Sequence, residues 1–300
     1  MLGWLLYSKK DVEKNKGYIE FYKEEGAKLD IQIELVIMES IEFGIKNNVH
    51  YMIYKNLTMK RPDFVISRTI YPLLTKQIES MGVPVFNNSF VSEICNDKAK
   101  TYQYVAKLGI DMVDSAFYKG DRILDVLANV NEPTVVKAVA GHGGNQVFLI
   151  DKLGEKGVSS SFEQEQKVIE LLEHSDFVVQ PLTGTRKEDL RVYVIGNKIV
   201  ASILRRAKSG FKSNFSLGGE VMLYNLNEEE LNIVNRIISI FDFDMVGIDF
   251  IIGDNGELIF NEIEDVVGAR MLYQCTDINL VKLYLEYILK KLKSKNNEEE

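Results

Sequence analysis

Asp249, Glu262 and Glu264 are the residues whose types and spacing most directly imply chemistry in this 300-residue chain. They lie in VGIDFIIGDNGELIFNEIE, where apolar strands are expected over Val246–Ile252 and Glu257–Ile263, joined by Asp254-Asn255-Gly256. Asn and Gly tolerate positive φ, so Asn-Gly between apolar runs predicts a tight hairpin. With Asn255 and Gly256 as the central turn residues, counting outward sets Asp249 opposite Glu262. Opposed residues share a face, and the period-two alternation adds Glu264 to it while Ile248, Phe250, Ile252 and Ile263 point the other way. Three carboxylates on a mostly apolar hairpin repel one another and are costly to desolvate, so they need protonation, Arg or Lys partners, or a metal. All-oxygen ligands favour a hard cation, Mg²⁺ or Mn²⁺, and Mg²⁺ leaves part of its octahedron to water and substrate phosphates. A solvated acidic edge is the plainer alternative, and the apolar neighbours argue against it.

Phosphates require cations and backbone N–H groups nearby. Pro133–Ile150, PTVVKAVAGHGGNQVFLI, reads as strand, glycine-rich turn and strand. It therefore differs from a Walker A or Rossmann loop, each of which leads into a helix. A glycine-rich hairpin can close over phosphates with its N–H groups, and Lys137 interrupts the apolar strand just ahead of it. His142 in that turn reads as a polar loop residue. Lys98 falls in the first turn of a helix capped by Asp97 and closed by Gly109, where a lysine opposes the helix dipole. Arg191, Arg205 and Arg206 sit in the strands of a hairpin, Leu190–Ile195 and Lys198–Arg205, turned at Gly196-Asn197. A guanidinium in a sheet must find anions or stay at an edge. Arg68 ends the strand Asp63–Ser67, the place where α/β sheets present ligand-binding groups, and a surface salt bridge is the equal alternative. Lys208–Gly219 is a basic Gly/Ser-rich loop.

The elements that must position these groups alternate through the first ninety residues. Strands are expected over Gly3–Tyr7, Ile31–Met38, Asp63–Ser67 and Val83–Phe86, and helices over Lys10–Leu29 and Leu73–Met81. Such alternation predicts an α/β fold with a mostly parallel, covered sheet. Further on, helices are expected over Glu163–His174, Asn227–Phe241 and Ile278–Lys293, with a strand at Phe177–Gln180 and a charged tail. Length suggests two or three domains. The net charge of −8 argues against nucleic acid as the main partner. No apolar run approaches a membrane span, and Cys95 and Cys275 lack CxxC spacing, which fits reduced thiols in a cytoplasmic protein. A homodimer is the default for a soluble enzyme. There is no GxSxG, and His50, His142 and His174 lack metal-ligand spacing.

Taken in order, NDK at Asn96–Lys98, VVKA at Val135–Ala138, GHGG at Gly141–Gly144, VVQPL at Val178–Leu182, DLR at Asp189–Arg191, RRA at Arg205–Ala207, KSNFSLGG at Lys212–Gly219, GIDF at Gly247–Phe250 and NEIE at Asn261–Glu264 resemble the ATP-grasp superfamily. The second half is especially similar to its RimK-type, ribosomal-protein glutamate ligase branch. The resemblance spans roughly Asn96 to Gly268. It implies an ATP-grasp fold with an N-terminal domain over residues 1–92, a central lobe over 93–176, a C-terminal lobe over 177–293 and a tail over 294–300. It also implies ATP and Mg²⁺ (or Mn²⁺). By resemblance, Lys98 and Lys137 contact the nucleotide and Gly141, Gly143 and Gly144 cover its phosphates. The backbone from Gln180 to Leu182 forms the adenine hinge, and Asp189 lies near the ribose. Lys212, Ser213 and Asn214 lie near the phosphates and the reacting centre, and Asp249, Glu262 and Glu264 hold the metal.

This chain departs from the family in three places. Pro181 stands where relatives often carry Glu, Glu264 stands where they carry Asn, and EDVVGAR replaces the usual N-x-S-P-G continuation. The chemistry implied is carboxylate activation through an acylphosphate followed by amine attack, with small-molecule or peptide carboxylate and amine substrates. Arg191 and Arg206 are expected to stabilise oxyanion charge, with Arg205 next in line and grouped with Arg68 and Arg270 for substrate. A small-molecule kinase on the same scaffold and a degenerate ATP-binding regulatory protein are the alternatives.

Overall fold

The computed structural model describes residues 1–55, 60–142, 146–151, 162–206 and 220–298. Gly143, Gly144, Lys212, Ser213 and Asn214 lie outside the described residues. The chain opens with β1 (Leu2–Tyr7), α1 (Lys9–Val12), α2 (Lys16–Ala27), β2 (Gln32–Ile37), β3 (Ile41–Lys46), β4 (Val49–Tyr54), β5 (Phe64–Ser67), α3 (Pro72–Ser80) and β6 (Val85–Phe86). Four of these strands form the expected parallel sheet, in the order β2-β1-β5-β6. Every residue of β1 is buried because both its faces are covered. Leu5 and Tyr7 pack toward Ile19 and Tyr22 of α2, while Leu2, Trp4 and Leu6 pack toward Leu74 and Ile78 of α3.

The β3–β4 hairpin also covers the α3 side, through Ile41, Phe43, Met52 and Tyr54. It is an addition to the expected elements. Its local signal is Asn47-Asn48, both at positive φ (51° and 62°) as a type I′ turn requires.

The middle of the chain carries α4 (Ser89–Cys95), α5 (Lys98–Val105), β7 (Ala116–Tyr118), α6 (Ile123–Ala128), β8 (Thr134–Ala138), β9 (Val147–Ile150), α7 (Phe162–Leu172) and β10 (Phe177–Pro181). Its strands pair antiparallel in the order β7-β10-β8-β9. The remainder is β11 (Glu188–Ile195), β12 (Lys198–Arg206), β13 (Glu220–Tyr224), α8 (Glu228–Ile238), β14 (Met245–Ile252), β15 (Leu258–Glu264), α9 (Arg270–Cys275) and α10 (Leu280–Glu298). Asn227 and Glu230 close a capping box at the start of α8. The antiparallel sheet β13-β12-β11-β14-β15 packs Leu190, Val192, Ile248 and Phe250 toward α8 and α5. Tyr193, Ile203 and Met245 share a core with the N-terminal sheet, α9 and α10.

Two β-bulges decide which side chains share the site face. In β14–β15 the loop has three residues, since Gly253 N–H donates to Glu257 O at 2.9 Å and Ile252 pairs with Leu258. That alone would slip the register by one residue. The bulge at Asn261, between Phe250↔Phe260 and Asp249↔Glu262, restores it. Asp249 thus faces Glu262 through two compensating departures from the two-residue turn.

In β11–β12 the pairing passes from Val194↔Ile199 to Tyr193↔Ala201, which leaves Val200 as the extra residue. A regular hairpin from Gly196-Asn197 would set Arg206 on the face of Arg191. The bulge pairs Asp189 with Arg205 instead, and Arg205 takes that face.

Candidate active site

The site face is built on four adjacent strands. Asp189 and Arg191 come from β11, Arg205 from β12, Asp249 from β14 and Glu262 and Glu264 from β15, with Arg191, Asp249 and Glu262 in one cross-strand row. Arg191 grips Asp249 with two bonds, Nε to Oδ1 at 2.7 Å and Nη2 to Oδ2 at 2.6 Å, and its Nη1 reaches Glu264 at 2.8 Å. Arg205 Nη2 adds a bond to Asp249 Oδ2 at 2.9 Å and its Nε pairs with Asp189. Bidentate charge-assisted bonds of this kind are the strong class.

Burial opposes ionisation of Asp249, but the two guanidiniums outweigh it and hold the carboxyl at about 2. Burial lifts Asp189 to about 7 against the pull of Arg205. It also raises Glu264, where repulsion from Asp249 and Glu262 adds to burial and Arg191 opposes both.

Lys98, at the start of α5, and Lys137, on β8, approach this face from the central part of the chain. Lys98 is buried, donates to Gly141 O at 2.5 Å and sits 3.0 Å from Glu262. Burial disfavours its charge, yet Glu262 prevails and raises its pKa. Lys137, 5% exposed on β8, donates to Asn261 Oδ1 at 3.2 Å and lies 5.4 Å from the centre of the Tyr102 ring. With no direct carboxylate bond among the described residues, burial pulls it down to about 7, Glu262 opposing and Lys98 reinforcing. Asn261 is a site residue that a strict alternation rule conceals, because the bulge turns it toward the lysine. Tyr102, one helical turn after Lys98, is a second.

The carboxylate oxygens of Asp249, Glu262 and Glu264 approach within 4.8 Å of one another and form a hard-oxygen set that suits Mg²⁺. Both oxygens of Asp249 already accept from guanidiniums, whereas Glu262 and Glu264 engage Lys98 and Arg191 through Oε2. Two glutamates with oxygens to offer match the one or two carboxylates that Mg²⁺ commonly takes.

Several expected residues stand elsewhere. Arg206 points off the site face, 47% exposed, and pairs with Glu188 at 2.6 Å; the bulge at Val200 is the cause. Leu182 is exposed and its N–H donates to Pro133 O at 3.0 Å, so that hinge donor is engaged. Gln180 turns its side chain inward to Ser115 Oγ at 2.7 Å. Arg270 is exposed and donates to Lys14 O at 3.2 Å. Arg68 is buried and donates to Val267 O at 2.9 Å.

An open cavity of about 1050 Å³ has Arg191, Arg205, Glu264 and His142 on one wall and Tyr18, Arg68 and Tyr273 on another. Behind it the segment after Glu264 is locked in place: Asp265, buried, accepts from Asn87 at 2.6 Å and Asn96 at 3.1 Å. No helix of the described residues is long and apolar enough to cross a membrane.

A family model described as a RimK-like ATP-grasp domain matches residues 95–288. A probable alpha-L-glutamate ligase of Legionella pneumophila is 30% identical over 223 residues, covering 73% of this chain and 71% of that protein. Its counterpart from Vibrio vulnificus is 26% identical over 284 residues and covers 92% of each chain. Among solved structures, a RimK domain ATP-grasp protein from Sphaerobacter thermophilus superposes with a TM-score of 0.70 at 14% identity, over 96% of this chain and 99% of that one.

Proposed function

The chain belongs to the RimK-like ATP-grasp family, which makes it an ATP-dependent carboxylate–amine ligase, and we propose that its reaction runs on the buried arginine–carboxylate face between the two sheets. One observation carries this assignment of residues. Lys98 at the start of α5 and Lys137 on β8 meet Arg191, Arg205, Asp249, Glu262 and Glu264 of the C-terminal sheet, and a large cavity opens beside Arg191, Arg205 and Glu264.

A substrate carboxylate attacks the γ-phosphorus of ATP, the bond to the ADP oxygen breaks, and an acylphosphate forms. An amine then attacks the acyl carbon, phosphate leaves, and the amine proton goes to solvent. Lys98 and Lys137 would bind the transferring phosphates, and Lys137 would regain full charge beside them, since an adjacent anion raises a depressed lysine pKa. Glu262 and Glu264 would hold Mg²⁺, with Asp249 behind them orienting both arginines. When bound, Mg²⁺ neutralises charge on the phosphoryl oxygens. Arg191 and Arg205 would face the oxyanion that develops at the acyl carbon, the step at which such donors contribute most.

The N-terminal sheet of residues 1–92 would then shape the substrate end of the cavity, and the lobes over 93–176 and 177–293 would enclose the nucleotide. The names of the two relatives favour an amino acid or peptide as substrate, and two cysteines without a disulfide fit work in the cytosol.

ADP release measured over a panel of amino acids and short peptides tests the reading. Glu264→Gln is expected to lower turnover about 10²–10³-fold, the usual cost of removing one transition-state interaction, with an unchanged melting temperature. Full activity in that variant would refute the metal assignment. Free phosphate appearing only when an amine is present identifies a ligase, and a stable phosphorylated product identifies a kinase.

A further inference from the structure

The far wall of the cavity holds a cation that forms no ion pair among the described residues. Arg68 follows β5, is 7% exposed, and lines the same cavity as Arg191, Arg205 and Glu264. Its Nη2 donates to Val267 O, while its Nε is buried and makes no hydrogen bond among the described residues. No carboxylate among the described residues forms an ion pair with it.

Around it stand tyrosines. The guanidinium lies 5.5 Å from the centre of the Tyr18 ring, Tyr18 and Tyr22 meet edge to face at 5.1 Å, and Tyr273 is 6.5 Å from Tyr18. The hydroxyls of Tyr7, Tyr18, Tyr22 and Tyr273 are all buried, and among the described residues none makes a hydrogen bond of normal geometry, although Tyr7 lies beside Arg68 and Tyr22 and Tyr273 beside Tyr18. Buried polar groups are nearly always paired, and a buried charge almost always is. One guanidinium without an ion pair and three such tyrosines on one cavity, with Tyr22 against Tyr18, therefore describe a site whose last member comes from outside the chain.

From this we propose that Arg68, with Tyr7, Tyr18 and Tyr273 lining the cavity and Tyr22 beside Tyr18, is a subsite for a substrate carboxylate that does not itself react. The proposal rests on the ligase reading and adds a second anchor to it. The site offers one positive charge, which a carboxylate balances and a phosphate dianion would exceed. Arg68 Nε–H and the phenol O–H groups are donors, and a carboxylate is the acceptor-only group that uses them. Guanidinium is the cation suited to planar, two-point recognition of that group. Because the same cavity reaches Arg191, Arg205 and Glu264, a substrate fixed here by one carboxylate presents its other end to the reacting face. The shared chemistry is a free carboxylate, carried by either the amine substrate or the acid substrate.

Melting temperatures of the full-length protein, with no nucleotide, test the subsite directly. Glutarate is expected to raise the melting temperature of the unmodified protein, and its diamide and inorganic phosphate are not. Arg68→Met is expected to abolish the rise. The double variant Tyr7→Phe/Tyr18→Phe, which keeps both rings, is expected to weaken apparent glutarate affinity about tenfold, as the loss of hydrogen bonds to a charged group does. The double variant also keeps the test open should Arg68→Met fail to fold.

No response to glutarate, an equal response in Arg68→Met, a response to phosphate alone, or unaltered affinity in the double variant would each overturn the proposal. None of these readouts involves turnover, so their failure leaves the ligase reading standing. In the ADP-release assay, a higher KM in Arg68→Met for the amine or for the acid supports the subsite and identifies which substrate owns the carboxylate. An unchanged KM for both overturns it.

Discussion

The two walls of the cavity treat buried charge in opposite ways. On the strand wall, Arg191 and Arg205 are matched against Asp189, Asp249 and Glu264, and Lys98 against Glu262. On the N-terminal wall, Arg68 has tyrosines and a backbone carbonyl in place of a carboxylate. The matched wall is arranged to hold its geometry with or without substrate, as transition-state stabilisation by fixed dipoles and charges demands. The unmatched wall carries a desolvation cost that a ligand can relieve, and recognition of a specific anion follows from that deficit.

The sharpest way to break the contrast is to unbalance the matched wall. Asp249→Ala leaves Arg191 with Glu264 alone and Arg205 with Asp189 alone, and breaking a buried pair from one side costs about 3–5 kcal/mol. We expect a melting temperature many degrees lower together with loss of ADP release. By contrast, Arg68→Met, which removes a cation that has no ion-pair partner among the described residues, should leave the melting temperature equal or higher. A scanning-calorimetry comparison of the two would erase the distinction between the walls if both fell alike.

Next in size is a test of which arginine faces the chemistry. Arg205→Lys forfeits a bond to Asp249 and the fork geometry, and is expected to lower kcat/KM about 10²–10³-fold. Arg206→Lys alters a half-exposed pair with Glu188, a kind of contact contributing about 0–1 kcal/mol, and should leave kcat/KM within about twofold. Equal losses in steady-state assays would mean that the bulge at Val200 does not separate their roles.

The smallest effect is a pH slope. Lys137 titrates near 7 in the folded protein against 10.5 ordinarily, because it is buried. Between those values the unfolded chain binds the proton and the folded chain does not. Stability from this group therefore rises with pH from about 7 to about 10.5 and is least below 7. Lys137→Met should flatten that slope, raising the melting temperature more at pH 6 than at pH 9 while weakening ATP binding. An unchanged slope would show that Lys137 keeps its proton throughout.

Much of this was legible in the chain. The parallel N-terminal sheet followed from alternation and the helix from Asn227 from its pattern, whereas Asp249 meets Glu262 as the two-residue turn count predicts only because a three-residue loop and a bulge cancel. The Arg205–Arg206 assignment and Asn261 were not legible, for a single reason. A bulge reverses the facing of every residue beyond it, and nothing in the local composition at Val200 or Asn261 announces one. The β3–β4 hairpin had a signal, Asn47-Asn48, but its edge residues are only half-buried and their alternation is correspondingly faint.

Residue type and spacing by themselves determined the chemistry available: carboxylates on one hairpin, lysines ahead of a glycine-rich turn, arginines inside strands, and the order of motifs that marks the family. Tertiary structure alone decided which charges meet. Lys98 with Glu262, Lys137 with Asn261, and Arg68 with Val267 and its tyrosines are partners from distant parts of the chain. Turn and alternation rules act over a few residues, whereas these pairings depend on how three sheets pack and where two strands bulge, and on that scale a buried cation either receives its anion from the chain or is left to receive it from a substrate.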